Sequence, residues 1–149
     1  MDYDSIILQL ISLSEADPWY VPLLSNASAL LFDSMKDLNW AGFYLLRDGE
    51  LVLGPFQGKP ACIHIPVGRG VCGTAVSQNR TLRVSDVHAF PGHISCDCAS
   101  NSEIVIPLSQ NGTVFGVLDL DSPLLNRFGE ADQIGLEQFA KVLCEVISF

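Results

Sequence analysis

The sequence predicts an α+β fold in which an antiparallel sheet has helices packed on it. Asp48 with Gly49 and Asn111 with Gly112 each separate two β-rich segments, and such pairs are the strongest short-range signal for a hairpin. Apolar residues recur at helical spacing near both ends of the chain. Consecutive hairpins flanked by helices are typical of a sheet covered by helices on one face.

The predicted elements follow one another along the chain. Helical spacing predicts helices over residues 3–14 and 21–38, and Asp17 and Pro18 separate them. The middle of the chain is predicted to form strands 40–46, 51–56 and 63–67, helix 71–78, and strands 82–84, 103–108 and 113–120. A closing helix covers 128–147, with an apolar stripe of Ile134, Leu136, Phe139, Val142, Leu143 and Val146. Residues 85–102 form a polar loop whose length is typical of a functional lid.

Length, composition and charge limit the classes of protein to consider. With 149 residues, 48% of them apolar, the chain is expected to form one domain over residues 1–149. Its formal charge of -9 argues against binding to nucleic acid or to an anionic membrane. The first twenty residues hold no Lys or Arg, and no apolar run is long enough for a membrane span. A cytoplasmic location is therefore expected.

The five cysteines are an odd number, which indicates metal or redox chemistry rather than a disulfide framework. Cys96 lies in a polar loop, which favours a reactive thiol, whereas Cys144 lies among apolar residues of the closing helix and is expected to be inert. Cys72 follows glycines at the start of a helix, where the helix dipole can lower a thiol pKa. For Cys72 and Cys98 the reactive and the inert interpretations stay open, and Cys62 begins a short strand.

A zinc site is the competing use of these thiols. His64, His88 and His93 are near enough in sequence to supply further ligands. The close pairs are Cys62 with His64 and Cys96 with Cys98, and they do not form the two C-x2-C knuckles usual in structural zinc sites. The spacing therefore disfavours zinc.

Three acidic residues are predicted to meet on one face of the sheet. Asp119 and Asp121 are separated by one residue, so their side chains point to the same face. The turn at residues 111–112 pairs their strand with the one that Glu103 opens. Carboxylates so placed repel each other, which raises at least one pKa and provides a proton donor or an ammonium site. From the residues alone, a solvated strand end is the slightly favoured alternative.

Two aromatic residues mark the first strand. Trp40, Gly42 and Tyr44 share a face, and the glycine between the aromatics leaves a notch that suits a small apolar group such as a thioether methyl. Ordinary core packing is the favoured alternative.

Four segments carry a family resemblance that extends from residue 40 to residue 123. They are 53–62 (LGPFQGKPAC), 70–73 (GVCG), 86–94 (DVHxFPGHI) running into Cys96 and Asp97, and 102–107 (SEIVIP). Together they resemble the free methionine-(R)-sulfoxide reductases, which are GAF-domain enzymes. The resemblance implies a GAF-like α+β fold with a central six-stranded antiparallel sheet. It also implies N- and C-terminal helices on one face and a loop-covered pocket on the other, all in a single GAF domain over residues 1–149.

The resemblance implies a role for each matching residue. Cys96 matches the nucleophile, Cys62 the main resolving thiol, and Cys72 a third cysteine that can also pair with Cys96. The matching substrate-binding residues are Glu103 and Asp121, which polarise the sulfoxide, Asp119, which assists them, and Trp40 and Tyr44, which receive the methyl-sulfur end.

The resemblance also implies a reaction cycle and its partners. The chain is expected to reduce free L-methionine-(R)-sulfoxide to methionine through a sulfenic acid and a disulfide, with thioredoxin as the reductant and with no metal or organic cofactor. It is compatible with a homodimer. The alternatives are a noncatalytic GAF sensor whose thiols act as redox switches and, more weakly, a zinc-binding module.

Two positions depart from the family pattern. Cys98 stands where these enzymes usually carry a small residue such as alanine, and Asn101 replaces a residue that is commonly basic. Cys98 is expected to be either an extra disulfide route or, preferably, a bystander.

Overall fold

The computed structural model describes residues 1–94, 96 and 98–149, so Ser95 and Asp97 of the predicted loop lie outside the described residues. The chain forms four helices and six strands within this described part. In order they are α1 (Tyr3–Ala16), α2 (Tyr20–Ser34), β1 (Trp40–Arg47), β2 (Glu50–Gly58), β3 (His64–Pro66), α3 (Gly70–Gln78), β4 (Leu82–Val84), β5 (Ser102–Gln110), β6 (Thr113–Ser122) and α4 (Glu130–Val146).

The six strands form one antiparallel sheet in the order β3-β2-β1-β6-β5-β4. The two predicted hairpins join β1 to β2 and β5 to β6. Asp48 and Gly49 have φ of 52° and 82°, and Asn111 and Gly112 have φ of 54° and 77°. Two successive left-handed residues match the twist of a two-residue hairpin, which is why Asp-Gly and Asn-Gly occur there. The predicted antiparallel sheet is confirmed.

One side of the sheet, which we call the helical face, is covered by α2 and α4, and α1 packs against both of these helices. Its core is apolar, because alternate residues of β1, β5 and β6 meet the apolar stripes of these helices. The largest buried side chains there include Phe43, Phe128 and Phe139. The helices at both ends of the chain therefore share one face, as predicted.

The other side, which we call the pocket face, is covered by α3 and by described residues of the segment 85–101, among them His93, Ile94 and Ser100. Residues that alternate with those of the helical face point here, among them Trp40, Tyr44, Val105 and Val117. Within this segment a single 3₁₀ turn spans Val87–Ala89, and the Asp86 carboxylate accepts a hydrogen bond from the His88 backbone N–H. The pocket face thus combines a smaller apolar cluster with an irregular covering.

The second predicted helix is shorter than its apolar spacing indicates. It ends at Ser34 instead of residue 38, because Met35 is extended and Asp37 has a φ of 62°. Met35 and Leu38 still pack against the core of the helical face, but they do so from the turn that leads into β1. Helical spacing of apolar residues therefore continued past the helix itself.

No helix in the described part of the chain has the length and apolar character needed to cross a membrane.

Candidate active site

Three carboxyl groups lie together on the pocket face. Glu103 at the start of β5 is paired directly with Asp121 on β6, and Asp119 lies two residues earlier on the same face. Glu103 is only 7% exposed and Asp119 only 5%. The predicted acidic cluster is therefore brought together, with Glu103 and Asp119 buried instead of solvated and Asp121 half-buried.

Burial and mutual repulsion control the protonation of this cluster. The pKa of Glu103 is raised well above its ordinary value, first by desolvation and then by the charges of Asp119 and Asp121 and hydrogen bonds to them. Burial also raises the pKa of Asp119, while hydrogen bonds from Glu103 and Cys72 act in the opposite direction. Glu103 is therefore the protonated donor of the pair, and Asp119 is the acceptor.

One oxygen of Asp119 has no partner. Its Oδ1 is buried and makes no hydrogen bond within the described part of the chain. Since Asp119 lines the pocket, this atom is an acceptor available to a bound group. An unsatisfied buried carboxylate oxygen is costly, so it is a natural contact for an ammonium or hydroxyl donor.

The cysteines divide into a bonded pair and three free thiols. Cys62 and Cys96 are joined by a disulfide across 34 residues, with their Cα atoms 5.5 Å apart. Cys72, on the first turn of α3, is buried, Cys98 is exposed and Cys144 is half-buried. Burial, followed by the charges of Asp119 and Glu103, raises the pKa of Cys72, which is opposite to the lowering considered for a thiol at the start of a helix.

Trp40 and Tyr44 form a rigid wall of the pocket. Their rings stack with centroids 5.8 Å apart, and the Trp40 indole N–H donates to the Lys59 carbonyl at 3.2 Å. The Tyr44 hydroxyl donates to the Cys62 carbonyl at 2.9 Å, which ties this wall to the disulfide. Burial, followed by the charge of Asp119, raises the pKa of Tyr44, so the hydroxyl stays a donor.

The suggested notch at Gly42 is filled. A Cβ at this position would collide with Phe56 and with the Trp40 ring, and Trp40 stacks on Phe56 at 5.2 Å. Gly42 is needed for this close approach of β2, so core packing is the correct interpretation of the glycine. The aromatic surface on the pocket face is instead provided by the rings of Trp40 and Tyr44.

A single pocket collects the predicted residues. Those that line it are Trp40, Tyr44, Cys72, Cys96, Glu103, Asp119 and Asp121, and Cys62 is joined to the pocket through its disulfide to Cys96. His93, Ile94 and Cys96 reach it from the covering segment, so the pocket is covered by the loop as expected.

Sequence reasoning did not single out Arg69 and Ser100, which both line the pocket, and it considered His93 only as a zinc ligand. Arg69 precedes α3, and a charged residue between Gly68 and Gly70 was its one signal in the sequence. His93 belongs to the motif of the loop. Burial and the neighbouring charge of His88 lower the pKa of His93, which favours the neutral ring.

Metal binding has one candidate cluster in the part of the chain that the structure describes. Ligand atoms of Cys72, Glu103 and Asp119 lie within 4.8 Å of one another. Metal ligands must be deprotonated, whereas the pKa of each of these groups is raised. Cys62 and Cys96 are bonded to each other and offer no thiolate for zinc. The arrangement fits proton transfer better than metal coordination.

Comparison with known proteins adds an independent line of observation. The GAF-domain family matches residues 24–147. The chain is 57% identical over 129 residues to the free methionine-R-sulfoxide reductase of Escherichia coli, and the match covers 87% of this chain and 78% of that protein.

Two solved structures are similar along almost their whole length. The reduced form of fRMsr of Staphylococcus aureus has a TM-score of 0.95 at 50% identity, covering 99% of this chain and 96% of that one. Free methionine-R-sulfoxide reductase from Neisseria meningitidis, in complex with its substrate, has a TM-score of 0.92 at 43% identity, covering 96% and 86%.

Proposed function

The chain belongs to the free methionine-R-sulfoxide reductase family of GAF domains, and from that premise we propose that it reduces free L-methionine-(R)-sulfoxide to L-methionine. The observation that carries the proposal is the position of Cys96 in one pocket with three carboxyl groups, two of which, Glu103 and Asp119, have raised pKa values. A thiol beside a buried proton donor is suited to remove oxygen from a sulfoxide.

Cys96 is the proposed nucleophile. In the reduced protein its thiolate attacks the sulfoxide sulfur, and the S–O bond of the substrate breaks as oxygen is transferred to Cys96. Methionine leaves with a reduced thioether, and Cys96 is left as a sulfenic acid. The position of Cys96 on the covering segment, opposite the sheet, supports this role because substrate can lie between the two.

Glu103 is the proposed general acid. Negative charge develops on the sulfoxide oxygen during attack, and a protonated carboxyl can donate to it. The raised pKa of Glu103, caused mainly by burial, keeps its proton available at a pH where an exposed glutamate would have lost it. Asp121, paired with Glu103 across the strands, is proposed to polarise the same oxygen.

The remaining pocket groups are proposed to select a free amino acid. Asp119 presents an unpartnered oxygen that can accept from the α-ammonium group, which peptide-bound methionine lacks. Trp40 and Tyr44 offer an apolar wall to the methyl-sulfur end of the substrate. Coverage by the segment 85–101 supports the exclusion of longer peptides.

Regeneration is proposed to use the bonded cysteines. The Cys62 thiol condenses with the sulfenic acid of Cys96, which forms their disulfide and releases water. The observed Cys62–Cys96 bond supports this pairing, and buried Cys72 is the proposed third cysteine that can also pair with Cys96. A dithiol reductant of the thioredoxin type then reduces the bond by exchange. We place this cycle in a single domain over residues 1–149 acting in the cytoplasm, and a homodimer stays a prediction.

A reductant-coupled assay tests the proposal. The protein is given each free epimer of methionine sulfoxide and a peptide-bound control, and methionine formation is measured by chromatography. We expect turnover of the free (R) epimer and little of the other two substrates. Cys96→Ser is expected to abolish turnover, whereas Cys144→Ser, at a half-buried position on α4 outside the pocket, is expected to retain it.

Two outcomes contradict the proposal. Equal turnover of the peptide-bound substrate contradicts selection by the α-ammonium and the covering segment. Binding of free methionine sulfoxide by the wild-type protein without any methionine formation points instead to a noncatalytic sensor, whose affinity Cys96→Ser would leave intact.

A further inference from the structure

The three free thiols differ in exposure. Cys72 is buried in the pocket, Cys144 is half-buried on α4, and Cys98 is exposed. Cys98 also lies two residues after Cys96, one partner of the disulfide. An exposed thiol so close to a disulfide in the chain is placed for thiol–disulfide exchange, whose rate depends on access as well as on thiolate content.

We propose that Cys98 is an exchange site, at which an external dithiol reduces the enzyme after the disulfide has moved from Cys62–Cys96 to Cys96–Cys98. This inference rests on the proposed function, because the reductase cycle is what re-forms the Cys62–Cys96 disulfide. It adds a fourth cysteine to that cycle and separates the thiol that closes the catalytic disulfide from the thiol that meets the reductant.

Each step of the relay conserves atoms and electrons. The Cys98 thiolate attacks Sγ of Cys96, an S–S bond forms between them, and Cys62 leaves as a thiolate that takes up a proton. One thiolate of the external dithiol then attacks Sγ of Cys98, which releases Cys96 and leaves a mixed disulfide on Cys98. The second thiol of the reductant attacks the reductant's first sulfur, which is bonded to Cys98. Cys98 is released as a thiol, and the reductant leaves as an intramolecular disulfide.

Chain geometry permits the first step. Residues two apart in sequence have Cα atoms no more than about 7 Å apart, and a disulfide needs a Cα separation of roughly 4.4–6.8 Å. Cys96 is already bonded to Cys62 across 5.5 Å, so its sulfur points away from the backbone toward another chain segment. Exchange between residues 96 and 98 therefore requires Sγ of Cys96 to turn from Cys62 toward Cys98.

The surroundings of the other sulfurs favour Cys98 as the point of entry. Cys62 and Cys96 are both half-buried, and the Cys62 carbonyl is held by the Tyr44 hydroxyl in the pocket wall. Cys72 is enclosed between α3 and the carboxyl groups, where burial raises the pKa of its thiol. A protein-sized reductant needs an exposed sulfur, and among the thiols near the disulfide Cys98 is the exposed one.

Trapping of the mixed disulfide tests the relay. Oxidised wild-type protein is mixed with glutathione in limiting amount, quenched in acid, alkylated and digested, and the glutathione-bearing peptide is identified by mass spectrometry. We expect glutathione on Cys98 and a transient peptide containing the Cys96–Cys98 bond. Glutathione found on Cys62 instead overturns the proposal.

Substitutions provide a second measurement. The rate at which dithiothreitol and a thioredoxin-type dithiol reduce the Cys62–Cys96 bond is compared among wild type, Cys98→Ala and the matched control Cys144→Ala. Cys98→Ala is expected to slow reduction several-fold, with the larger loss for the protein-sized reductant, and Cys144→Ala is expected to match wild type. An unchanged rate in Cys98→Ala overturns the relay, and near-UV circular dichroism verifies that this exposed substitution keeps the fold.

A single-turnover measurement separates this proposal from the proposed function. Reduced wild-type protein and free methionine-(R)-sulfoxide need no external thiol to form one equivalent of methionine. If no methionine forms while the mixed disulfide is still trapped on Cys98, the reductase proposal fails and the exchange site stands. If methionine forms and Cys98→Ala is reduced at the wild-type rate, the exchange site fails and the reductase stands.

Discussion

Along β5 and β6, successive side chains point to opposite faces of the sheet, and the two faces differ in chemistry. Ile104 and Leu120 lie in the apolar core of the helical face, whereas their neighbours Glu103, Asp119 and Asp121 line the pocket. Burying ionisable groups is unfavourable, and burying apolar area is favourable. The comparison indicates that the helical face stabilises a sheet whose other face is arranged for reactivity.

The largest effect on stability is expected from Phe139→Ala. Phe139 is fully buried under the sheet in the core of the helical face, so truncation removes apolar contacts and leaves a cavity. We expect a loss of about 3–5 kcal/mol in the free energy of unfolding. Urea denaturation measures it. Because Phe139 lies in the core of the helical face, the single-turnover rate of methionine formation by the folded fraction should equal that of wild type. A lower rate in the folded Phe139→Ala protein would show that the two faces do not act independently.

On the pocket face, Glu103→Gln is expected to act on rate more than on folding. Glutamine keeps the shape of the side chain but cannot supply the proton that the raised pKa of Glu103 retains. General acid catalysis contributes about 10²-fold or more, so the single-turnover rate should fall by at least about 10², which is about 2.7 kcal/mol of transition-state stabilisation. Rapid quench of methionine formation at saturating sulfoxide measures it. Glu15→Gln, an exposed substitution on α1, is the matched control, and an equal rate in both variants contradicts the assignment.

The same carboxyl group should make stability depend on pH. Burial raises the pKa of Glu103 in the native state above its unfolded value, so the native state holds the proton more tightly. The stability contributed is complete below the ordinary carboxyl pKa and is lost as pH rises toward the raised native pKa. Asp119, whose pKa is raised by burial, acts in the same direction.

Urea unfolding at about pH 5 and about pH 8 measures this dependence. We expect Glu103→Gln to lose less stability than wild type between the two, by a difference on the order of 1 kcal/mol, since one pKa unit corresponds to about 1.4 kcal/mol. Glu15→Gln should follow wild type. A wild-type stability that rises over this interval more steeply than that of Glu103→Gln would reverse the sign and contradict the buried, protonated glutamate.

Much of this architecture could be predicted from local signals. Left-handed turns need Gly, Asn or Asp, so residues 48–49 and 111–112 located both hairpins. The turn at 111–112 alone would place Glu103 opposite Leu120, on the other face. A register shift between Leu108 and Ser109, which the sequence pattern did not predict, brings Glu103 beside Asp121 instead. The period of two along β6 predicted that Asp119 would join them. The pairing of Cys62 with Cys96 was predicted only through family resemblance, because sequence spacing alone does not fix disulfide connectivity.

The rest depends on packing that sequence patterns do not contain. Whether the carboxyl groups are solvated or buried depends on how α3 and the irregular chain before β5 pack over them, and that irregular chain has no periodic signal. Arg69 and His93 line the pocket only because the start of α3 and the chain before β5 pack against the sheet. Apolar spacing also fails to distinguish a helix from a turn that packs on the same core, which is why the end of α2 was placed too late.

The smallest effect on stability is expected at Ile134, a residue that the apolar spacing of α4 wrongly predicted to be buried. It was predicted to lie on the buried stripe of the closing helix, but it is 64% exposed, whereas Phe139 on the same helix is fully buried. It follows Glu130 and Asp132 near the start of α4 and lies outside the buried residues of that helix, so little of its apolar area is removed from water. Ile134→Ala is therefore expected to change the free energy of unfolding by no more than about 0.5 kcal/mol, as for surface substitutions generally. Urea denaturation beside Phe139→Ala measures the contrast on one helix, and a loss of comparable size in both variants would mean that the helical face extends to Ile134 in solution.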